Sequence, residues 1–222
     1  ACFQLGYLWG EVVEEPDLDR AAFWYAQAVN YLPGYTHATV HLAEIHLEKG
    51  EHTQARSLLN SVIDSGDPEA RWRMSELLEA EGNIRASEIE REVARLMYED
   101  LLSRHELAFA DHAAEFYLGS GNNSGRALEL SLLNLQNRAT IAAYEQAARI
   151  DPASYDAQYN LAVLQFEKVK DFGAALASAR HAQSINNTGE IHDLLGDIYE
   201  SRQQFRDALD HYQEAVRLDP NN

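Results

Sequence analysis

The sequence is poor in residues and patterns that several common classes of protein need. Its single cysteine, Cys2, excludes an intramolecular disulfide and a cysteine-based zinc site. No apolar run reaches the roughly 18 residues of a membrane-spanning helix, and no basic-then-apolar leader opens the chain. We therefore expect a soluble chain with no membrane insertion, and its compartment stays open between cytoplasm and periplasm.

Positive charge is also scarce. Lys and Arg together number 18 against 36 Asp and Glu, so the formal net charge at pH 7 is -18. An acidic surface repels phosphate backbones, which argues against nucleic-acid binding. It attracts basic partners instead, through encounters that weaken as salt rises.

Helical periodicity is what the sequence has in abundance. Strand signals, in which β-branched or aromatic residues alternate with polar ones, are nearly absent. Apolar residues instead recur at helical spacing, in segments of about 11 to 15 residues joined by short polar turns. The pattern predicts an all-α protein.

An internal repeat is clearest at residues 189–222, a segment of 34 residues. Small and large residues stand at regular positions in it: Leu195, Gly196, Tyr199, Ala208, Tyr212, Ala215 and Pro220. This pattern closely resembles the tetratricopeptide repeat, in which a first helix (A) packs against a second (B). The resemblance implies a right-handed superhelical solenoid of antiparallel helix pairs, spanning residues 1–222 in about six pairs plus an odd helix.

The same spacing recurs elsewhere, because Ala55 follows Ala21 by 34 residues and Leu195 follows Leu161 by 34. The resemblance is strong for residues 1–66 and 154–222. The middle is weaker and resembles the irregular Sel1-like repeats. Two B-like segments, SGRALELSLLNLQ and NRATIAAYEQAARIDP, follow one another there, so we expect a phase break or a junction near residues 124–156.

The candidate binding residues come from the resemblance. Such arrays bind peptides along a concave groove lined by the A helices, so we expect a non-catalytic protein-interaction scaffold that needs no cofactor. Carried over by position, the groove residues are Tyr7, Glu11, Val40, Glu44, Glu48, Trp72, Glu76, Glu79, Tyr159, Phe166, Asp193 and Asp197. The set mixes carboxylates with aromatics and contains no Lys or Arg, which favours a basic peptide or protein partner.

A histidine-rich stretch, HATVHLAEIHLEKGEH, permits a different interpretation. His37, His41 and Glu44 share one face of a helix and are the ligands of an alternative, a metal-dependent enzyme. The H-E-x-x-H order of zinc proteases is missing, because Ala38 follows His37. We therefore favour a scaffold helix decorated with histidines, with no metal.

The last predicted helix carries an apolar stripe of Phe205, Leu209, Tyr212 and Val216. Part of it would pack inward, and a following repeat would cover the rest. The stripe indicates either a fragment of a longer array or self-association through Phe205, Leu209 and Val216. A purely structural, self-assembling segment is thus a further alternative.

Overall fold

The computed structural model describes residues 1–13, 15–137 and 139–219, and all of its regular structure is helical. The helices are α1 (Cys2–Tyr7), α2 (Leu18–Tyr31), α3 (Thr36–Glu48), α4 (His52–Val62), α5 (Pro68–Ala80), α6 (Ile84–Leu118), α7 (Ser124–Asn137), α8 (Ile141–Ile150), α9 (Tyr155–Leu164), α10 (Phe172–Ile185), α11 (Gly189–Ser201) and α12 (Phe205–Leu218). Two π-helical segments, Leu8–Val12 and Gln165–Val169, continue α1 and α9. The all-α prediction is confirmed, and no helix in the described ranges is long and apolar enough to cross a membrane.

Polar caps and glycines define the helix ends. Asp17 begins α2 by accepting a hydrogen bond from the Arg20 amide at 3.0 Å, and Thr188 begins α11 in the same way. Gly50 and Gly82 follow α3 and α5 with φ of 71° and 79°. Residues with a Cβ rarely adopt these values, so each glycine permits the tight turn into the next helix.

The chain divides into two compact units, Ala1–Glu106 and Leu107–Asn222, called unit 1 and unit 2 below. The boundary falls within α6, where His105 leaves helical geometry with φ of -147° and ψ of 54°. Whether superhelical phase breaks within residues 124–156 stays a prediction. Arg138, which precedes the expected extra helix, and Pro220, which ends the repeat pattern, lie outside the described residues.

Unit 1 is built from α1 with α2, α3 with α4, and α5 with the first part of α6. Small residues set the close approach of each pair, since Ala21, Ala43 and Ala55 are all fully buried. Gly6 lies so close to the Tyr25 ring that an added Cβ would stand 2.6 Å from it. Neighbouring helices therefore come into close contact at the positions where the repeat pattern has small residues.

Unit 2 contains the pairs α9 with α10 and α11 with α12. Helix α8 packs against α7 and against α9, and whether it is the odd helix of the repeat pattern stays a prediction. Gln146 of α8 also donates hydrogen bonds to the Asp111 carbonyl at 3.0 Å and to the Glu115 carboxylate at 2.8 Å. These bonds attach α8 to the second part of α6.

Candidate ligand-binding face

Four carboxylates gather on the A helices of unit 1: Glu11, Glu44, Glu48 and Glu76, here called the acidic face. Glu11 stands on the π-helical turn after α1, Glu44 and Glu48 are four residues apart on α3, and Glu76 is on α5. The pKa of Glu48 is raised by burial and by the negative charges of Glu44 and Glu11. Glu44 and Glu11 are therefore close enough to Glu48 to disfavour its ionisation.

One cation, Arg73 of α5, lies within this face. Its guanidinium pairs with Glu44 and with Glu76, the latter at 3.0 Å, and lies 4.0 Å from the centroid of the Trp72 ring. The Trp72 indole in turn donates to Glu76 at 2.6 Å. Burial lowers the pKa of Arg73, but the adjacent carboxylates outweigh burial and raise it overall. The cluster is thus a built ion-pair network rather than a set of freely solvated acids.

Beside this network is a cavity of about 310 Å³, called the Tyr25 cavity. Residues that line it include Gly10, Glu11, Tyr25, His41, Glu44 and Glu48. The Tyr25 ring stacks on His41 with centroids 5.2 Å apart and an interplanar angle of 11°. Tyr25 is only 2% exposed, and burial followed by the charges of Glu11 and Glu44 raises the pKa of its hydroxyl.

Two residues expected in the groove are buried instead. Val40 is 1% exposed and packs with Val62 and Ala70. Trp72 is 6% exposed because Arg73 covers its ring. These two side chains are therefore part of the packing beneath the acidic face, and ligand contact by either of them stays an untested prediction.

The other expected residues of unit 1 differ in how far their charges are already paired. Glu79 is exposed but forms an ion pair with Arg91 of α6, and Tyr7 is exposed. Glu11 and Glu48 form no ion pair within the part of the chain that the structure describes. These two carboxylates are therefore the ones most available to a cationic ligand.

Unit 2 carries a second set of the expected residues. Tyr159 stacks on Tyr155 with centroids 5.7 Å apart, and its pKa is raised by burial and by Glu190 and Asp193. Phe166 lies on the second π-helical turn, with the Lys170 ammonium 5.5 Å from its ring centroid. The face is half-buried and aromatic with carboxylates at its edge.

Asp197 has a partner within its own repeat. The Tyr212 hydroxyl lies 2.8 Å from a carboxylate oxygen of Asp197 and 2.9 Å from one of Glu200. Asp197 is therefore partly engaged before any ligand arrives, unlike Glu11 and Glu48 of unit 1.

The three residues of the enzymatic alternative do not converge on one site. His37 pairs with Asp67 at 3.4 Å, whereas His41 lies 3.4 Å from Glu44 and stacks on Tyr25. His37 instead shares with Asp67 and Glu69 a group whose candidate ligand atoms lie within 4.8 Å of one another. The triad of His37, His41 and Glu44 is thus replaced by two separate local pairings.

Arg73 is the residue of the acidic face that the repeat pattern does not predict. The repeat pattern places Trp72 and Glu76 of α5 in the groove, and Arg73 lies between them in the sequence. Its charge nonetheless reaches Glu44, 29 positions earlier. A signal was present, because Glu76 follows Arg73 by three residues, a spacing that brings opposite charges together on a helix.

Acidification is expected to weaken the pairing of α11 and α12. The Nδ1 atoms of His192 and His211 lie 2.9 Å apart, so both rings cannot carry a proton there. Burial, His192 and Arg180 lower the pKa of His211, against the smaller opposing effects of Asp207 and Asp210. The folded state then resists protonation more than the unfolded state, whose histidine pKa is about 6.5. Stability is therefore full above that pH and lost as the pH falls towards the folded pKa.

Urea unfolding followed by far-UV circular dichroism at a series of pH values tests this expectation. Tryptophan fluorescence is unsuitable, because all three tryptophans, Trp9, Trp24 and Trp72, lie in unit 1. His211→Gln should flatten the acid side of the profile. An equally steep profile in this variant would contradict the assignment to His211.

Comparisons with known proteins give a consistent family. One tetratricopeptide repeat profile matches residues 189–222 and another matches residues 13–77. No curated protein sequence matches the chain. The Sel1-like resemblance of the middle stays a prediction.

Three solved structures illustrate the likeness. A crystal structure of MamA is 14% identical, covering 92% of this chain and 90% of that chain, with a TM-score of 0.34. MamA AMB-1 is 19% identical, covering 84% and 93%, with a TM-score of 0.34. TTC0263, a thermophilic TPR protein in Thermus thermophilus, is 18% identical, covering 100% and 91%, with a TM-score of 0.36. Identities and TM-scores this low carry no inference about function.

The repeat profiles coincide with helix pairs in which small residues meet large ones, as Gly196 meets Tyr212. Helix arrays of this kind present extended surfaces for binding other proteins. This all-α chain therefore carries tetratricopeptide repeats over residues 13–77 and 189–222, repeats of the class that serves in protein-interaction scaffolds.

Proposed function

We propose that this chain is a non-catalytic scaffold whose acidic face in unit 1 binds a basic segment of a partner protein. The observation that carries the proposal is the charge balance of that face. The face holds four carboxylates and one guanidinium, which pairs with two of them, Glu44 and Glu76, so that three negative charges are in excess when all are ionised. A cationic segment would offset the repulsion that raises the pKa of Glu48.

The half-buried aromatic face of unit 2 is proposed as a second contact surface. Tyr159 and Phe166 offer apolar area, and Asp193 and Asp197 offer charge at its edge. Because Asp197 already accepts from Tyr212, we expect this surface to contribute less charge-dependent affinity than the acidic face.

Binding of an oligolysine peptide tests the proposal. We expect affinity to fall about tenfold or more as salt rises from about 0.05 to 0.5 M, because salt screens charges across an exposed face. An oligoglutamate peptide of equal length is the control and should not bind. An affinity that does not change with salt concentration would contradict electrostatic binding at the acidic face.

Variants should be chosen to spare the Arg73 network. Glu44 and Glu76 hold that arginine, so reversing their charges would also disturb folding. Glu11→Gln and Glu48→Gln remove charge without this complication, and each should weaken oligolysine binding. Glu88→Gln on α6 changes the net charge equally at an exposed position off the acidic face and should leave binding unchanged.

Self-association through α12 stays a prediction. Phe205, Leu209 and Val216 are 65%, 55% and 57% exposed, while Tyr212 of the same stripe packs on Gly196. We expect sedimentation to show concentration-dependent association, and Leu209→Lys to abolish it without unfolding the chain. Asp210→Lys, at a neighbouring polar position, is the matched control. A monomer at every concentration would contradict the prediction.

The enzymatic alternative is not proposed, because its ligands His37, His41 and Glu44 form separate pairings. Elemental analysis of the purified chain would test this directly. Stoichiometric zinc that His41→Ala removes would favour the enzyme over the scaffold.

A further inference from the structure

The hydroxyl of Tyr25 is a buried polar group without a partner. It has no hydrogen bond to any residue that the structure describes, although the residue is only 2% exposed. A buried hydroxyl left unpaired costs free energy, because it has given up its hydrogen bonds to water. Most such groups in proteins are satisfied by protein atoms or by water, so the surroundings of this hydroxyl show what could pair with it.

A second tyrosine in the same repeat position shows where such a hydroxyl points. Tyr25 packs on Gly6 of its A helix, and Tyr212 packs on Gly196 of its own, with an added Cβ standing 2.6 Å and 2.3 Å from the respective rings. The two tyrosines therefore enter their helix pairs in the same way.

The two repeats differ in the hydrogen-bond partners of the tyrosine hydroxyl. In the last repeat, the Tyr212 hydroxyl reaches Asp197 and Glu200. These residues stand one and four positions after the A-helix glycine. The corresponding residues in the first repeat are Tyr7 and Gly10. Gly10 has no side chain to offer, and it lines the Tyr25 cavity.

The unpaired charges that line the cavity are all negative. Glu11 and Glu48 line it without an ion-pair partner among the described residues, and Glu44 lines it while shared between Arg73 and His41. The raised pKa of Glu48 reflects burial and the repulsion among these carboxylates. A positive charge placed there would remove that repulsion.

We infer that the Tyr25 cavity binds the cationic end of a single lysine or arginine side chain, which would be one residue of the basic segment in the function proposed above and so rests on it. Glu11, Glu44 and Glu48 supply the compensating charge. The Tyr25 hydroxyl accepts a hydrogen bond from the ammonium or guanidinium.

Three small probes test the site directly: the N-acetyl, N-methylamide derivatives of lysine, arginine and norleucine. We expect the lysine probe, the arginine probe or both to shift the backbone amide resonances of Gly10, Glu11, Glu44 and Glu48 in NMR spectra of the labelled full chain. The norleucine probe has a similar stem without the charge and should shift none of them. Response to lysine alone assigns an ammonium site, and response to arginine alone assigns a guanidinium site.

A matched pair of tyrosine variants isolates the hydroxyl. Tyr25→Phe keeps the ring on Gly6 and His41 and should weaken probe binding about tenfold, the fold-change of a lost hydrogen bond to a charged group. Tyr212→Phe makes the same change where the hydroxyl already has protein partners and should leave the cavity's affinity unchanged. Glu48→Gln is a second variant, at an exposed position where the change should not disturb folding. It should also weaken probe binding, so the site can be tested even if Tyr25→Phe disturbs folding.

The outcomes separate this inference from the proposed function. Cationic probes that cause no shifts, or norleucine shifts of equal size, would overturn the cavity assignment. If oligolysine still binds with salt dependence in that case, the acidic face stands without the cavity. The opposite result is also informative. If the probes bind and Tyr25→Phe weakens their binding, but oligolysine does not bind, the cavity assignment stands and the proposed function of the acidic face is overturned.

Discussion

Replacing Gly196 with alanine is expected to destabilise the α11–α12 pair by about 1–2 kcal/mol, even though alanine is the better helix former. An added Cβ would stand 2.3 Å, 2.5 Å and 2.8 Å from three atoms of the Tyr212 ring. The ring would have to move away, which breaks its contacts with Asp197 and Glu200. The roughly 1 kcal/mol gained from helix propensity offsets only part of this loss.

Gly125→Ala provides the matched control. Gly125 lies in the exposed first turn of α7, and its nearest neighbour to an added Cβ is 3.7 Å away, an ordinary contact. The same chemical change should there be neutral or stabilising by up to about 1 kcal/mol. Urea unfolding gives both values, and hydrogen exchange should locate the loss for Gly196→Ala in α11 and α12, because each repeat is held by its neighbours alone. Equal effects at the two glycines would contradict the packing explanation.

Replacing Arg73 with methionine is expected to destabilise unit 1 by about 2–3 kcal/mol at neutral pH. Removing one partner of a buried ion pair leaves the other charge uncompensated, which costs about 3–5 kcal/mol when burial is complete. Arg73 is 16% exposed, and its partners Glu44 and Glu76 are 23% and 33% exposed, so the cost should be somewhat smaller. Trp72 fluorescence should also change, because the guanidinium leaves its ring.

The pH dependence of Arg73→Met carries a defined sign. Without the guanidinium, Glu44 and Glu76 repel each other and Glu48, so their folded-state pKa values should rise. Stability is then present at low pH and lost as the pH rises through those values. The deficit should therefore shrink as the pH falls to about 4, where carboxylates protonate.

Two further variants complete the test of Arg73. Adding Glu44→Gln and Glu76→Gln to Arg73→Met should restore part of the stability. Arg217→Met removes an exposed arginine that pairs with Glu214 within one turn of α12 and should have little effect. Arg73→Met should also bind oligolysine more tightly, because the acidic face loses the guanidinium that offsets part of its charge. A variant as stable as the parent protein at neutral pH would show that the network is not structural.

Much of the fold was predictable from the sequence because the repeat encodes it locally. Helical spacing of apolar residues predicts the helices, and their polar caps and turn glycines lie within a few residues of each end. The small and large positions, such as Gly196 and Tyr212, were predictable for the same reason, since both partners belong to one 34-residue segment. The kink within α6 at His105, by contrast, has no signal in the repeat pattern.

The candidate site was predictable only in part. The register selected Glu11, Glu44 and Glu48 for the face of the A helices, but it also selected Val40 and Trp72, which are buried. Register states the side of a helix on which a residue lies. It does not state how deeply the next helix covers that side, which depends on the packing between repeats.

By itself the sequence determined that the chain is helical, repetitive, acidic and built from pairs of helices with small residues at their crossings. These properties depend on composition and on spacings shorter than one repeat. Only the tertiary structure decided that Arg73 reaches Glu44, that His37 pairs with Asp67 rather than sharing a site with His41, and that the Tyr25 hydroxyl is buried without a partner. Each of these outcomes depends on how neighbouring helices pack, at ångström-scale distances and with side-chain conformations that a periodic pattern leaves open.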